Sequence, residues 1–528
     1  MQTNMAAVFG EYEKAKRQKE SLGEKGLYEQ TGINARFYSG NQWYGANCGN
    51  DRPLVRHNII KRIGDFKMSQ ILSSEHEVSF FAGGVPEPGG KRELRAAVED
   101  KDFAFSGEMS DEEISAVCRA MGAYFKQCAK RLGIDALAAE VLKRAYISGC
   151  GVLYTYFDSG ADTGMSLYGS RIKGDIACEV LDVRDVYFAD RDEADVQAQP
   201  YIIIASKKDK QSVLAQARTF GTERLLGDLK TDGDGKVLIL TKLYKEQTKS
   251  GTRVFCVKVT QSGVLRPDFD TKLHFYPLGT FRFDELDGGA YGESEVTYLI
   301  PNQIAINRMI TASVWSNIAS GMPMMIVNGD TVSGDISNDP GQIIKIFGTN
   351  EDVAGAVKYV SPPDYSSAFN DAVNNLIENT LTQCGASPAI LGDERAQNAA
   401  AITRLQTAAL MPMNVLRGRY REFLAQTARI WADFWLNLYG NRKIKIEDES
   451  GVWYFPFNAR RYADLGISAA VSISEEERFT AKDKISALAD LFDRGVITAK
   501  QYLSRLPDSL IAGKQELING VKEKKNEA

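Results

Sequence analysis

Seven cysteines and three histidines are the residues in this 528-residue chain most able to ligate a metal or to act as nucleophile and base. Cys48, Cys118, Cys128, Cys150, Cys178, Cys256 and Cys384 are scattered, and no two share a Cys-x-x-Cys spacing. They read as reduced, buried thiols. His57, His76 and His274 stand apart from each other and from the cysteines, so no zinc site is expected. Two phosphate- and calcium-like stretches also fail on inspection. In GGVPEPGGKRE (Gly83 to Glu93), Gly90-Lys91 is followed by Arg92, and Val85 stands where a phosphate loop needs its first glycine. TDGDGK (Thr231 to Lys236) lacks the third acidic position and the closing glutamate of a calcium loop. It reads as a hairpin turn leading into a strand. No Gly-x-Ser-x-Gly nucleophile elbow occurs. A Ser–His or Cys–His pair assembled across the fold stays open, but nothing in the sequence points to one. The expectation is a non-enzyme with no cofactor and no metal.

Composition bounds the rest. The chain is 44% hydrophobic, 25% charged and 10% aromatic, which is enough apolar material for a true core. Its length predicts two to four domains or one elongated multi-part fold. The longest apolar runs are as short as YIIIA (Tyr201 to Ala205), so no membrane association is expected. The N-terminal GEYEKAKRQKE mixes acid and base without an apolar signal block, which predicts assembly in a cytosol. Net charge is −5, from 64 basic and 69 acidic residues. That balance disfavours a protein that grips nucleic acid through phosphates, though it suits one that DNA slides past.

The elements alternate in a telling order. Residues 4–40 carry a helical pattern, and Ile59, Ile60, Ile63, Phe66, Met68 and Ile71 form an apolar stripe after Pro53. Arg56, Lys61, Arg62 and Lys67 fill much of the remaining surface of that helix and read as a basic face. Asp111–Gly133 and Asp135–Ser148 are two further helices, the first capped at Ser110 or Asp111. Val-, Ile- and Tyr-rich strands follow, giving an α+β region to about residue 290. Tyr291–Ser320 is a long helical stretch that Pro301 should bend or restart. Gly321–Tyr365 is a Gly/Pro/Asn/Asp-rich excursion with short β pieces, and Ser366–Cys384 returns from it as a helix. Then comes GASPAILGDERAQNAAAITRLQTAAL (Gly385 to Leu410), a polar loop in front of a long helix over Ala399–Tyr439, bent at Pro412 and Gly418. Strands in 440–473 and a helical pair beyond Phe479 close the chain.

This order resembles the portal proteins of tailed bacteriophages, the short-tailed type most closely. FYSGNQW with RPLVRHNIIKRIGDFKMSQILS is similar to the family's turn, Gly-x-x-Trp, before an Asn-Ile helix. YGESEVTYLIPNQIAINRMITASVW is similar to its helix before the clip, with Gly292, Pro301, Gln303 and Asn307 in matching places. The Gly385–Leu410 stretch matches at Gly385, Pro388, Leu391 and Gly392, and EVLDVRDVYFAD matches a wing strand more weakly. The resemblance implies an α+β, elongated portal fold of wing, stem, clip and crown. On it, 1–293 is wing, 294–320 the first stem helix, 321–365 the clip and 366–384 the second stem helix. Residues 385–400 are then the tunnel loop, 401–473 the long wing helix with returning strands, and 474–528 the crown and tail. It further implies a closed ring of about twelve copies at a capsid vertex of the virion, assembled in the host cytoplasm. The implied partners are double-stranded DNA read without sequence specificity, the terminase large subunit, a head–tail adaptor, and the major capsid protein or a scaffold.

Three groups of residues carry the site expectations. Asp393, Glu394, Arg395, Gln397 and Asn398 give the tunnel loop a polar surface with little net attraction for phosphate. Asp330, Asp335, Asp339, Glu351 and Asp352, with Lys345 and Lys358, form a charged partner-docking rim on the clip. Arg56, Lys61, Arg62 and Lys67 bridge neighbouring subunits or touch DNA. Two other readings stay open: a different head–tail connector or scaffold, and a nucleic-acid-processing enzyme with an unrecognised site.

Overall fold

The computed structural model describes residues 4–45, 54–73, 76–82, 109–167, 170–248, 251–285, 289–321, 324–327, 330, 332–333, 345–348, 357–360, 367–386, 411–448, 451–462, 465–473 and 488–505. Helix α1 (Met5–Glu20) starts where the Asn4 side chain accepts the Ala6 N–H at 3.0 Å. Val8, Tyr12, Ala15 and Lys19 recur at helical spacing on its buried side. That side lies on Tyr187, Ile203, Leu240 and Val257 of a five-stranded antiparallel sheet. The sheet runs β4 (Val186–Phe188), β5 (Tyr201–Asp209), β6 (Lys236–Thr248), β7 (Gly251–Thr260) and β8 (Gly263–Asp270), in sequence order. Its other face carries Phe188, Ile202, Ile204, Leu243 and Val254 into the main core. Period-two alternation thus sorts each strand between two packed layers.

A second sheet has the order β3 (Ser170–Leu181), β2 (Cys150–Leu167), β9 (Leu278–Arg282). Helix α5 (Ile134–Ser148) packs on it, and α2 (Gly26–Tyr38), α3 (Ile59–Leu72) and α4 (Asp111–Leu132) pack on α5. Asn58 caps α3 by accepting the Lys61 N–H, and Ser110 with Glu113 closes a reciprocal capping box on α4. β1 (His76–Ala82) pairs antiparallel with β16 (Ile467–Ile473), from His76 opposite Ile473 to Ala82 opposite Ile467. The chain therefore returns to its own N-terminal third. β14 (Asn441–Asp448) and β15 (Gly451–Asn458) form a hairpin beside α4.

Helix α9 (Met413–Leu438) is the spine of this core. Phe423, Trp431 and Trp435 are fully buried along it, against β9, β16, β1 and β2. Truncating one such aromatic side chain costs about 3–5 kcal/mol. In the described residues this helix begins after Pro412, which stands at its N-cap, and Gly418 lies inside an uninterrupted helix. At the helix start Pro412 spends no internal hydrogen bond. Residues 399–410, expected to extend the helix backwards, lie outside the described set. The predicted turn at TDGDGK exists: the Asp232 carboxylate accepts the N–H groups of Asp234 and Lys236. It joins coil to β6 rather than two strands, because α6 (Lys210–Phe220) intervenes after β5.

Candidate functional site

The long candidate helix over 291–320 forms α7 (Glu295–Gly321), with Pro301 inside it. It runs antiparallel to α8 (Ser367–Gln383). Asn302 Nδ2 donates to Thr380 Oγ1 at 3.3 Å near the body of the protein, and Ser313 Oγ donates to Asn370 Oδ1 at 3.4 Å farther out. Beyond them lie β10 (Met324–Val327) paired with β13 (Val357–Val360), and β11 (Val332–Ser333) paired with β12 (Lys345–Ile346).

Three polar residues one turn apart fix α7 to the rest of the chain. Gln303 Oε1 accepts the N–H groups of Ile59 at 3.0 Å and Ile60 at 3.4 Å, while its Nε2 donates to the His57 carbonyl at 2.7 Å. Asn307 Oδ1 accepts the His57 N–H at 3.0 Å, and Asn307 Nδ2 donates to Gln42 Oε1 at 2.6 Å. Thr311 Oγ1 accepts the Val55 N–H at 3.1 Å. The i, i+4, i+8 spacing lines these groups up on one face of α7. Opposite that face the chain entering α3 is extended, and of these N–H groups Ile59's also bonds the His57 carbonyl at 2.9 Å. Trp43 Nε1 donates to the Val55 carbonyl at 3.0 Å and holds the same segment from the other side. The Gly40–Trp43 turn, the Asn58-Ile59 helix start and the Gln303/Asn307 helix, read separately in the sequence, are thus one hydrogen-bonded unit.

A charged cluster sits where α3, α7 and α8 meet. Lys67 Nζ lies 2.5 Å from Glu295 Oε1, with the Lys67 side chain only 10% exposed. Burial raises the Glu295 carboxyl above the usual glutamate range despite the lysine beside it. Burial likewise pushes the Cys384 thiol up to about 11. Close by, the backbones of Gly149 and Gly292 cross so tightly that a Cβ on Gly149 would stand 2.0 Å from the Gly292 carbonyl oxygen.

Just past α8, Gly385 adopts φ +72°, a conformation that favours glycine, and its Cα faces the Pro412 ring. The Ala386 N–H bonds the Leu381 carbonyl at 2.9 Å, and Ala386 and Met413 are both buried. Residues 387–410 therefore leave and re-enter the described structure at adjacent anchored points.

The predicted site residues separate into three outcomes. Asp393, Glu394, Arg395, Gln397 and Asn398 lie outside the described residues, as do Asp335, Asp339, Glu351 and Asp352. Asp330 is exposed in a turn, Lys345 is in β12 and Lys358 in β13. Arg56, Lys61 and Arg62 are exposed, but Lys67 is not part of their face, being held by Glu295 inside the α3–α7 junction. The residues that sequence reasoning left without a role are Thr311, Glu295 and the buried Lys19. Lys19 Nζ donates to the carbonyls of Val183 at 2.7 Å and Arg184 at 3.0 Å and sits 3.7 Å from the centre of the Tyr187 ring. Burial holds its ammonium well below the usual lysine value. Polar residues repeating every fourth position within an apolar helix were the signal for Thr311.

Among the described residues no group of three His, Cys, Asp or Glu side chains could hold a metal ion, and no helix is long and apolar enough to cross a membrane. What the fold and these contacts define is a mixed α+β body to which the antiparallel pair α7 and α8 is hydrogen-bonded. A family model of the phage P22-like portal protein matches residues 205–490, from within β5 through α7, α8 and α9 to the last strands, which is more than half of the chain. The chain belongs to the phage P22-like portal protein family. No curated protein matches it.

Proposed function

We propose that this chain forms a closed ring at one vertex of a phage capsid, with double-stranded DNA passing along the axis during packaging and ejection. The observation that carries this reading beyond family membership is the anchored geometry of α7 and α8. A helix pair is clamped to the body at Gln303, Asn307 and Thr311, and the ends of 387–410 are held side by side at Gly385 and Pro412. That arrangement suits a stem that carries load and a loop launched from its inner end. In this reading α7 and α8 are the stem and 321–365 the clip. Asp330, Asp335, Asp339, Lys345, Glu351, Asp352 and Lys358 then form the rim that meets the terminase large subunit and later the adaptor. Asp393, Glu394, Arg395, Gln397 and Asn398 face the DNA, and Arg56, Lys61 and Arg62 bridge neighbouring copies. A net charge of −5 per copy favours passage over tight binding.

Native mass spectrometry with negative-stain imaging tests the proposal. A ring of about twelve copies of the 58.3 kDa chain, about 700 kDa with a central hole, is expected. A strictly monomeric or dimeric species at high concentration overturns it.

A further inference from the structure

Most cations on the five-stranded sheet are paired. Lys207 meets Asp232, Lys242 meets Glu11 and Arg253 meets Asp270. Lys208, Lys258 and Arg266 are different: among the described residues none of them makes an ion pair or donates a side-chain hydrogen bond. Arg266 on β8 stands directly opposite Lys258 on β7, a pairing that like charges oppose. Both side chains are half-buried. Burial lowers the Lys258 ammonium below the usual lysine value, and Lys208 on β5 and Arg266 repel it further. Burial lowers the Arg266 guanidinium as well. That guanidinium is held in place by two rings. Its centre lies 3.4 Å from the centre of the Phe269 ring and 4.7 Å from that of Phe220, at the end of α6. Glu179 on β3 is exposed nearby, yet it forms no ion pair with Lys258.

We propose that Lys208, Lys258 and Arg266 form a binding site for a phosphate group on this sheet. Like charges set opposite each other and half-buried cost stability unless an anion sits between them. The immobilised Arg266 fork can donate to two oxygens of one phosphate, and Lys258 and Lys208 add compact charges from β7 and β5. Phosphate suits this set better than a carboxylate does. A phosphomonoester carries about −1.5 to −2 charge at neutral pH and three acceptor oxygens. A carboxylate carries less, and Glu179, the chain's own nearby carboxylate, does not settle on the cluster. The phosphate is either free or part of a nucleic-acid backbone. The site belongs to β5, β7 and β8 rather than to α7 or α8, and it needs neither a ring nor a second copy.

Calorimetric titration of the full-length protein with inorganic phosphate, in phosphate-free buffer, tests the site. Saturable binding is expected. It should come with a rise in unfolding temperature that sodium chloride or acetate at equal ionic strength does not give. Lys258→Met keeps the apolar stem of the side chain and should weaken phosphate binding at least about tenfold. Without phosphate the same variant should melt at or above the wild-type temperature, because it relieves the repulsion. Lys208→Gln, at an exposed position, gives the binding readout if Lys258→Met misfolds. A short fluorescent DNA duplex identifies the source of the phosphate. Duplex affinity that falls in parallel assigns the site to nucleic-acid backbone, and unchanged duplex affinity assigns it to free phosphate. Absence of saturable phosphate binding overturns the proposal. So does acetate that binds as tightly, or phosphate affinity that survives both substitutions.

Discussion

The side-chain oxygen of Gln303, in the middle of α7, accepts the main-chain N–H of Ile59 at the start of α3 from 3.0 Å away. A helix N-terminus is thus capped by a residue 244 positions further along the chain, with Asn58 capping it locally through the Lys61 N–H. The same Gln303 side chain spends its amide on the His57 carbonyl. Ile59 N–H and the His57 carbonyl keep their bond to each other at 2.9 Å, but Gln303→Leu leaves the buried Ile60 N–H unpaired and removes the clamp, so a loss of about 1–3 kcal/mol is expected. Urea unfolding should show a lower midpoint at unchanged slope. A loss under about 0.5 kcal/mol would mean that water replaces the cap.

Lys67 and Glu295 make the second prediction. Burial raises the Glu295 carboxyl, so its charged form is tolerated chiefly because Lys67 faces it. Lys67→Met should cost about 3 kcal/mol at neutral pH, the range for breaking a buried pair. A glutamate whose folded-state value is raised binds its proton more readily folded than unfolded. Lowering the pH through that raised value therefore favours the fold, and the variant gains most. The deficit of Lys67→Met against wild type should shrink steadily from pH 8 towards pH 5. A deficit independent of pH would place the lesion in packing alone.

These two contacts show how far the sequence could be read. The apolar stripes and the Ser110 cap were legible, because that cap acts within a single turn of chain. Lys67 was assigned to a basic face by its residue type, although it lies four residues from both Ile63 and Ile71 on the buried stripe. Spacing was the better guide there, and its charge is accommodated only because Glu295 arrives from a distant helix. Pairing of β1 with β16 across some 390 residues was not legible, since cross-strand register leaves no local mark. Helix α6 was missed because it buries little more than Val213 and Ala217. Of the candidate site, the Gln303 and Asn307 positions were visible as a resemblance, but not what they bond. The polar loop residues 393–398 fall outside what the structure describes.

Asp433 supplies a third prediction. It accepts the N–H groups of His274 at 2.7 Å and Phe275 at 3.1 Å and faces His274 Nδ1 at 2.9 Å, tying the loop before β9 to α9. The hydrogen bond to Asp433 raises the His274 imidazole above the ordinary histidine range. A raised histidine stabilises fully below its unfolded value and loses that contribution as pH rises through the folded one. Between pH 6 and 8 the protein should lose a little stability from this site, under about 1 kcal/mol because the ring is partly exposed. An NMR titration of the histidines should show His274 above His57 in wild type and lowered in Asp433→Asn. Unchanged titration in that variant would break the link.

Gly149 and Gly292 make a fourth. Their backbones cross where α5 turns into β2, and the Gly149 carbonyl also accepts the Phe283 N–H at 2.9 Å. Gly149 has φ +89°, so an added Cβ is strained as well as blocked. Gly149→Ala should cost at least about 3 kcal/mol and yield mostly insoluble protein. Gly10→Ala, which meets nothing within 4 Å on α1, should be neutral or mildly stabilising. Thermal melts of the two variants side by side separate the cost of the crossing from that of losing a glycine.

The last prediction concerns Lys61 and Arg62. Both are exposed on α3, three and four residues past the Asn58 cap, away from the buried Ile60/Ile63 stripe. If they bridge to acidic groups of a neighbouring copy, Lys61→Glu with Arg62→Glu replaces two positive charges with two negative ones at each subunit contact. Subunits should then stay folded, because surface substitutions away from the core change stability by about 0.5 kcal/mol or less. Rings should fall apart, and sooner at low ionic strength, where like charges repel over a longer distance. Size-exclusion profiles at about 50 and 500 mM salt read this directly. Rings that survive the double reversal at low salt would remove these two side chains from the subunit contact and leave the packed DNA as their remaining partner.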